Sequence, residues 1–515
     1  MFCCFDFYGF DLMNPKWRYL GYSVVTLLLG YLLILQIYAI WPFTIDDMYI
    51  SLRYARNWAA GDGLLWNLNE KPVEGYSNFS FVVLGALSIL LKINPVLSLK
   101  IAGFVGLVAT CIFVFFISRF WFSKRESLIP CIWLLLYKGQ IIWAVSGFET
   151  TIHQSLIIGS VYFAFRGLGY LFYPNARGEQ KISGFVTSGL LLSLAGMTRP
   201  EAPVFMLLFF VLISWDQNKL LLKKHWKGVV FFGATIVLVY LPYFFWRWHY
   251  YGLLLPNSVY CKGFHGTPYL LDLNYLKLIW PFAILALPAC FSGKDKRHYF
   301  LWLPSIMYLL MLWDADPVVA FDNRFYMPAF ALLLPLTLQG IELILLQYFK
   351  NRDNFFLLAL YVSAFFVALL FIPRMSLEEY RYFSQNPVQG EKLRKSVVQW
   401  LNHHVQRKDK VVLGDSGLIP FLSNFNFIDS YCLNNASMAQ FPDEERYELF
   451  CHQILEKKPQ VVILTSLIEK GKVTYTPSDF CLKPLLINHK EYQLKKIFST
   501  NNADSQYRYE LFANF

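Results

Sequence analysis

The sequence is poor in charge. Asp, Glu, Lys and Arg make up 16% of its 515 residues, while hydrophobic residues make up 56% and aromatics 18%, at a mean hydropathy of +0.39. That balance excludes an ordinary soluble globule. The chain also lacks a P-loop, a G-x-G-x-x-G turn and a G-x-S-x-G elbow, which argues against a nucleotide-fuelled pump and a serine hydrolase. Its nine cysteines include no C-x-x-C pair and no Cys/His cluster at zinc spacing, so no metal site is read. Internal repeats and low-complexity tracts are missing too.

What is present is a series of apolar runs, of which a bilayer crossing needs about 20 residues each. They cover 19–41, 79–93, 98–118, 128–145, 151–166, 184–198, 200–215, 228–247, 274–291, 299–313, 325–347 and 354–372. The first follows Lys16 and Arg18, has no small-x-small cleavage site after it, and reads as an uncleaved anchor. The net charge of +11 is read as the cytoplasmic Lys/Arg bias of a membrane protein rather than as a nucleic-acid footprint. Arg166, Arg177 and Lys181 mark one cytoplasmic loop, Lys219 to Lys227 a second, Lys294 to Arg297 a third, and Lys350 with Arg352 a fourth. Twelve crossings would put "SRFWFSKRE" (Ser118 to Glu126) outside, so 79–93, short and followed by Asn94 and Pro95, is expected not to cross fully. About eleven crossings then place the N-terminus inside and the C-terminus outside. Cys111, Cys131 and Cys290 fall in apolar runs. Cys261, Cys432, Cys451 and Cys481 can face an oxidising compartment, with a pairing that sequence does not reveal.

This threading brings the polar motifs to one external face. They are the Asp46–Asp47 loop (the first external loop, 42–78), "SGFETTIH" at Ser146 to His153, "GMTRPEAP" at Gly196 to Pro203, "YYGLLLPNSVYCKG" at Tyr250 to Gly263, and "WDADPVVAFDNRFYMP" at Trp313 to Pro328. Charges at membrane depth cost about 2.5–3.5 kcal/mol each on insertion scales. Arg199, Lys262 and Arg324, with Arg53 and Arg56, therefore read either as interfacial anchors or as a cradle for a lipid-borne phosphate. Sugar transfer from such a donor needs a base for the acceptor hydroxyl and positive charge for the leaving phosphate. Asp46 is the expected base and Asp47 its support, although N-capping of the helix in "MYISLRYARNWAA" would use the same residues. That helix is expected to end at Gly61 and to lie on the membrane surface.

After Pro373 the composition turns polar. "EKLRKSVVQWLNHHV" and "DEERYELFCHQILEKK" read as helices, and "KVVLGDSG", "FNFIDSY" and "QVVILTS" as strands, which makes 374–515 a small external α/β domain. Asp415, at a strand end, reads as a turn former, with ligand binding as the alternative.

The ordered set "DDMYISLRYARNWAAGDGLLWN", "PVEGYSNF", "SGFET", "TRPE", "YYGLLLPNSVYCK", "NRFYMP", "GDSGLIPFLS" and "FNFIDSYCLNN" resembles the GT-C class of polyprenyl-phosphate-dependent glycosyltransferases. Within it, the set looks most like the terminal arabinofuranosyltransferase branch and its bacterial relatives. The resemblance implies a GT-C-like transmembrane catalytic domain over 1–373 and a catalytic acid at Asp46 or Asp47. It implies a polyprenyl-phosphate sugar donor (arabinofuranose is the family's precedent) held by Arg199, Lys262, Arg324 and Arg53. Tyr49, Glu74, Glu149, Glu201 and Asn257 lie in the matching motifs as candidates for substrate binding. The chain departs from the family at "WDADPVVAFD", where the alignment of Asp314, Asp316 or Asp322 with a family acid is open, and in being rich in Lys, Asn, Ile and Phe. The expected acceptor is a surface polysaccharide, lipopolysaccharide or pilin at a bacterial inner membrane. No cofactor is required, and a divalent cation (Mg or Mn) is compatible but not argued for. A polysaccharide polymerase or ligase using lipid-linked sugars is the second reading and a transporter or flippase the third; the latter would want charges along the bundle interior.

Overall fold

A computed structural model of the chain describes residues 15–68, 70–174, 177–217, 226–261, 273–292, 295–312, 321–349, 351–442, 444–502 and 505–515. Among the described residues up to Phe371 the named elements are all helices. Among the described residues four helices are long and apolar enough to cross a membrane: Pro95–Ser118, Trp226–Tyr251, Asn323–Leu345 and Asn354–Phe371. The expected span at 128–145 is instead two helices, Leu128–Leu136 and Lys138–Val145, bent by 71°. The pair counts as a fifth span if taken as one. The break comes at Tyr137, whose extended backbone ends one helix and starts the next. Helix Phe79–Leu90 has 12 residues, or about 18 Å at 1.5 Å per residue, short of the ~30 Å hydrocarbon layer.

The basic loops assemble at one end of the bundle. Arg177 pairs with Asp216 at 2.6 Å, Lys296 donates to the Trp215 carbonyl at 2.8 Å, and Arg297 lies 4.7 Å over the Trp121 ring. Trp121 belongs to the Ser118–Glu126 stretch and donates to Asp295 at 2.7 Å. The motif-bearing loops gather at the opposite end.

Helix Met48–Ala59 does form, but not as a membrane-surface helix. Nine of its twelve residues are buried, because its apolar side packs on helix Phe79–Leu90 and its other side meets the C-terminal domain. Tyr49 lies 5.5 Å from Phe421, and the Arg53 guanidinium lies 5.2 Å over Phe427. A sheet domain thus covers the face that sequence reading gave to lipid headgroups.

The C-terminal domain begins with helix Leu377–His404, opened by a capping box between Ser376 and Glu379. Its first turns pack at the end of helix Pro15–Ile40, with Phe383 5.4 Å from Phe43. Its later turns bury Leu393, Val397 and Leu401 against one face of the sheet. The strands are β1 (Lys410–Leu413), β2 (Asn426–Asp429), β3 (Val461–Glu469), β4 (Lys472–Tyr475), β5 (Gln493–Ser499) and β6 (Ser505–Ala513). Their order is β2-β1-β3-β6-β5, with β4 on the far half of β3. β2, β1 and β3 run parallel, with Val411 opposite both Phe427 and Val461. β6 and β5 are antiparallel. The other sheet face buries Val412, Val462 and Leu464 under Phe450, Ile454, Leu482 and Leu486, which come from helices Arg446–Ile454 and Pro477–Asn488.

Candidate active site

A cavity of about 380 Å³ lies between the helical body and the carboxyl ends of β1 to β3. The helical body lines it with Ile45, Asp47, Ile50, Trp143 and Arg324. The sheet domain adds Asp415, Ser416, Tyr431, Thr465, Thr476 and Tyr507, among others.

The two adjacent aspartates have separate environments, as neighbours at a helix start must. Asp47 occupies the N-cap position of helix Met48–Ala59 but makes no side-chain cap bond. Its carboxylate instead forms part of the cavity wall. Asp46 points the other way. Its Oδ1 accepts from the Leu418 amide at 3.1 Å and from Arg394 Nε at 3.1 Å. Arg394 Nε also binds Asp415 Oδ2 at 2.8 Å, and Tyr507 and Tyr509 donate to the same oxygen. Asp46, Arg394 and Asp415 keep only 12–13% side-chain exposure. Burial pushes the Asp46 carboxyl well above the carboxylate range, against Arg394, and the neighbouring Asp415 pushes it further. For Asp415 burial acts upward as well, but Arg394 and the hydrogen bonds it accepts hold it below its usual value. One proton on Asp46, shared toward ionised Asp415, is the state this pair favours. Position 417 must be glycine, because a Cβ there would collide with the Asp46 carboxylate and carbonyl.

Arg324 is 6% exposed. Its guanidinium stands 4.5 Å over Phe325, 4.7 Å over Phe148 and 5.2 Å over Trp143. Its Nε has no hydrogen-bond partner. Arg199 lies behind it on the same Phe325 ring, at 4.6 Å, but is held between two carboxylates: Glu149 at 3.1 Å and Glu201. Glu149 also accepts from Asn78 at 2.8 Å, which accepts from Ser51 at 2.7 Å. The expected anionic cradle therefore has Arg324 at the cavity and Arg199 in an ion-paired layer behind, with Glu149 and Glu201 as its counter-ions rather than cavity groups.

The other expected site residues go elsewhere. Arg53 spends its guanidinium on the carbonyls of Trp66 (2.7 Å), Pro420 (2.6 Å) and Phe425 (3.2 Å) and on Asn67 (3.1 Å). It clamps the first loop to the sheet domain and leaves no face for a phosphate. Glu74 forms a two-pronged ion pair with Arg247 at 2.8 and 3.0 Å. Asn257 donates to the carbonyls of Cys432 and Leu433 at 3.0 Å each. Tyr49 is buried against Phe421. These three join a packed seam away from the cavity. A Cys261–Cys432 disulfide closes the seam, and Cys451–Cys481 ties the two helices of the sheet domain. Lys262, Asp314 and Asp316 lie outside the described residues, and so does the side chain of Asp322. Among the described residues no three of His, Cys, Asp or Glu gather as a metal site.

Sequence reading missed Arg394, Trp143 and Tyr507, and gave Asp415 to a turn over a ligand. Asp415 carried a faint signal, an acid at the carboxyl end of a parallel strand, where α/β sheets bind ligands. Arg394 carried none, since a cation in an amphipathic helix looks solvated.

Residues 379–512 match the family described as Domain of unknown function (DUF8728). No curated protein matches the sequence. The fold is similar to that of ArnT from Cupriavidus metallidurans bound to undecaprenyl phosphate, at TM-score 0.54 and 11% identity over 96% of this chain and 98% of that one. The Archaeoglobus fulgidus oligosaccharyltransferase in its apo form is similar at TM-score 0.58 and 12% identity, over 90% and 75%. AglB from the same organism, with an inhibitory peptide and a dolichol-phosphate, is similar at TM-score 0.54 and 11% identity, over 91% and 75%. The chain thus shares the fold of these proteins, the fold expected from the resemblance of its ordered motifs to the GT-C class.

Proposed function

We propose that the protein is a glycosyltransferase of the bacterial inner membrane that moves a sugar, arabinofuranose by the family precedent, from a polyprenyl phosphate to a surface polysaccharide, lipopolysaccharide or pilin acceptor. The observation that carries this is a cavity with a carboxylate that caps nothing, Asp47, and a desolvated cation, Arg324, on the same wall. Asp47 takes the proton from the acceptor hydroxyl as that oxygen attacks the anomeric carbon. The bond from that carbon to the phosphate oxygen breaks, and Arg324 receives the negative charge on the departing lipid phosphate. Asp46 is less suited to the base role because its carboxyl holds a proton. With Arg394 and Asp415 it anchors the loop so that Asp47 faces inward. The relative with bound undecaprenyl phosphate supports a lipid-phosphate donor by likeness of fold. A C-terminal domain on the external side, with the N-terminus inside, suits the two disulfides in and at that domain.

The test is mass spectrometry of surface glycans from a deletion strain complemented with the wild type or with Asp47→Asn. A glycan that loses one sugar on deletion, regains it with the wild type and not with the variant, is expected. Unchanged glycans on deletion would overturn the reading.

A further inference from the structure

The sheet-domain wall of the cavity is chemically unlike the wall that carries Arg324. β1 ends at Leu413, but β3 runs on. Beyond the end of β1 the β3 backbone has lost its parallel partner, and the Thr465 amide donates instead to Asp479 Oδ2 at 2.8 Å. Gly414 sits in the gap. A Cβ there would lie 3.2 Å from Ser430 Oγ, 3.7 Å from Asp479 Oδ2 and 3.8 Å from Thr476 Oγ1. So three polar side chains ring one residue that has no side chain of its own, and Thr465 makes a fourth polar group through its bond to Asp479.

Three of the four keep an unused hydrogen-bonding atom. Thr465 Oγ1, Ser430 Oγ and Asp479 Oδ1 are buried without a partner, and their residues are 3%, 0% and 0% exposed. Buried polar atoms normally find partners, and an orphan costs about 1–3 kcal/mol. Thr465 lines the cavity, and Ser430 and Asp479 lie directly behind Gly414 on that wall, so the three orphans together fit a ligand that both donates and accepts. The acids Asp415 and Asp479 stand beside them, and the nearest cation, Arg394, is already ion-paired. The sheet-domain residues that line the cavity include no Lys or Arg, so this wall offers a phosphate no cation. It suits a neutral molecule with several hydroxyls, with Tyr431 as an aromatic side of the cavity.

We propose that the crevice at the carboxyl ends of β1 to β3 is a subsite for a neutral polyhydroxylated ligand, the sugar ring of the acceptor, so that the sheet domain reads the acceptor while the helical body holds the donor phosphate. This rests on the sugar-transfer reading above.

The test uses the full chain in nanodiscs with two probes measured separately: undecaprenyl phosphate, and a panel of neutral methyl glycosides (arabinofuranoside, galactoside, glucoside, mannoside and rhamnoside). At least one glycoside is expected to bind. Thr465→Val and Ser430→Ala should each weaken it about tenfold, the worth of a hydrogen bond or two, and leave the lipid phosphate unaffected. Gly414→Ala removes no polar group and only fills the gap, so it should weaken the glycoside too, which guards against a misfolded Thr465 variant. Arg324→Met should show the reverse pattern. No glycoside bound, or glycoside binding indifferent to all three sheet-domain variants, would overturn the subsite while lipid phosphate binding leaves the transferase reading standing. Wild type that binds glycoside in this crevice but not the lipid phosphate would keep the subsite and sink the donor reading.

Discussion

The helical body and the sheet domain meet along two zones that treat their charged groups differently. In the seam, Arg53 makes four hydrogen bonds, Glu74 and Arg247 face each other in a double ion pair, and Tyr54 bridges the Val73 carbonyl and Asn434. At the cavity, Arg324 Nε and Thr465 Oγ1 are left over, and so are Ser430 Oγ and Asp479 Oδ1 just behind its Gly414 wall. Both zones are buried, and both contain charge. Satisfied charge holds two bodies in register, while unsatisfied polarity in a cavity is a cost that a ligand can relieve. The type of residue therefore says little about which zone it joins; Glu74 and Asp47 come from the same loop.

The sharpest way to break this comparison is the acid pair. Asp47→Asn is expected to cut sugar transfer by about 10²–10⁴-fold, the usual worth of general base catalysis, with undecaprenyl phosphate binding unchanged. Asp46→Asn should keep activity within about tenfold. The Asn amide can donate to Asp415 as the protonated Asp46 does, and its carbonyl can still accept from Leu418 and Arg394. Transfer rates measured in proteoliposomes decide it. A dead Asp46→Asn beside an active Asp47→Asn would reverse the assignment.

The seam should fail differently. Replacing Cys261 and Cys432 together with Ser opens a link across 171 residues. Loss of such a bridge costs about 2–5 kcal/mol in small domains. Thermal melts should show the sheet domain loosening, with transfer per folded molecule nearly intact at low temperature. A selective loss of transfer without a lowered melting point would mean that the seam belongs to the site.

Next come the two arginines on the Phe325 ring. Arg324→Met should weaken donor use about tenfold or more, since a charge-assisted hydrogen bond is worth about 1.5–3 kcal/mol. Arg199→Met should lower stability more than donor affinity, because it leaves Glu149 and Glu201 buried without their cation. The check is the donor KM for each variant beside its melting temperature; equal effects on KM would place Arg199 in the cavity after all.

Hydropathy and loop charge made the helical body legible, because lipid imposes long apolar runs and the basic loops collect at one end. The ordered motifs pointed to the right fold class and to the loop that lines the cavity. Three features were not legible, each for a physical reason. The break at Tyr137 is followed by Lys138, Gly139 and Gln140, a short polar interruption that hydropathy averaged over 128–145 smooths away, so the 71° bend is lost. Helix Leu377–His404 begins 14 residues ahead of the stretch read as helical, because Pro387 lies inside it and reads as a breaker. The Asp46–Arg394–Asp415 cluster joins positions more than 340 residues apart in sequence, and pairing at that range leaves no local pattern.

The smallest expected effect separates the zones by pH. Burial raises the Asp479 carboxyl to about 7, whereas in the unfolded chain it titrates near the ordinary aspartate value of 3.8. Between those values the unfolded chain gives up this proton and the folded one keeps it. The contribution of Asp479 to stability is therefore full below about pH 4, falls as pH rises through the window, and is gone above about 7. Asp479→Asn should remove that slope. Asn can still accept from the Thr465 amide through its Oδ1, and it carries no charge to bury. The variant should thus match the wild type near pH 4 and exceed it at pH 8, by a few degrees in melting temperature on the scale of about 2–4 °C per kcal/mol for a domain of 150–250 residues. Glycoside binding should separate the two proteins further. In the wild type the carboxyl loses its donor proton above about pH 7, so binding at the sheet-domain wall should weaken there, while the variant keeps a donor at every pH. Melts and glycoside titrations of both proteins between pH 4 and pH 9 measure this; parallel curves would show that Asp479 is ionised throughout, and the sheet-domain wall would then carry a fixed negative charge.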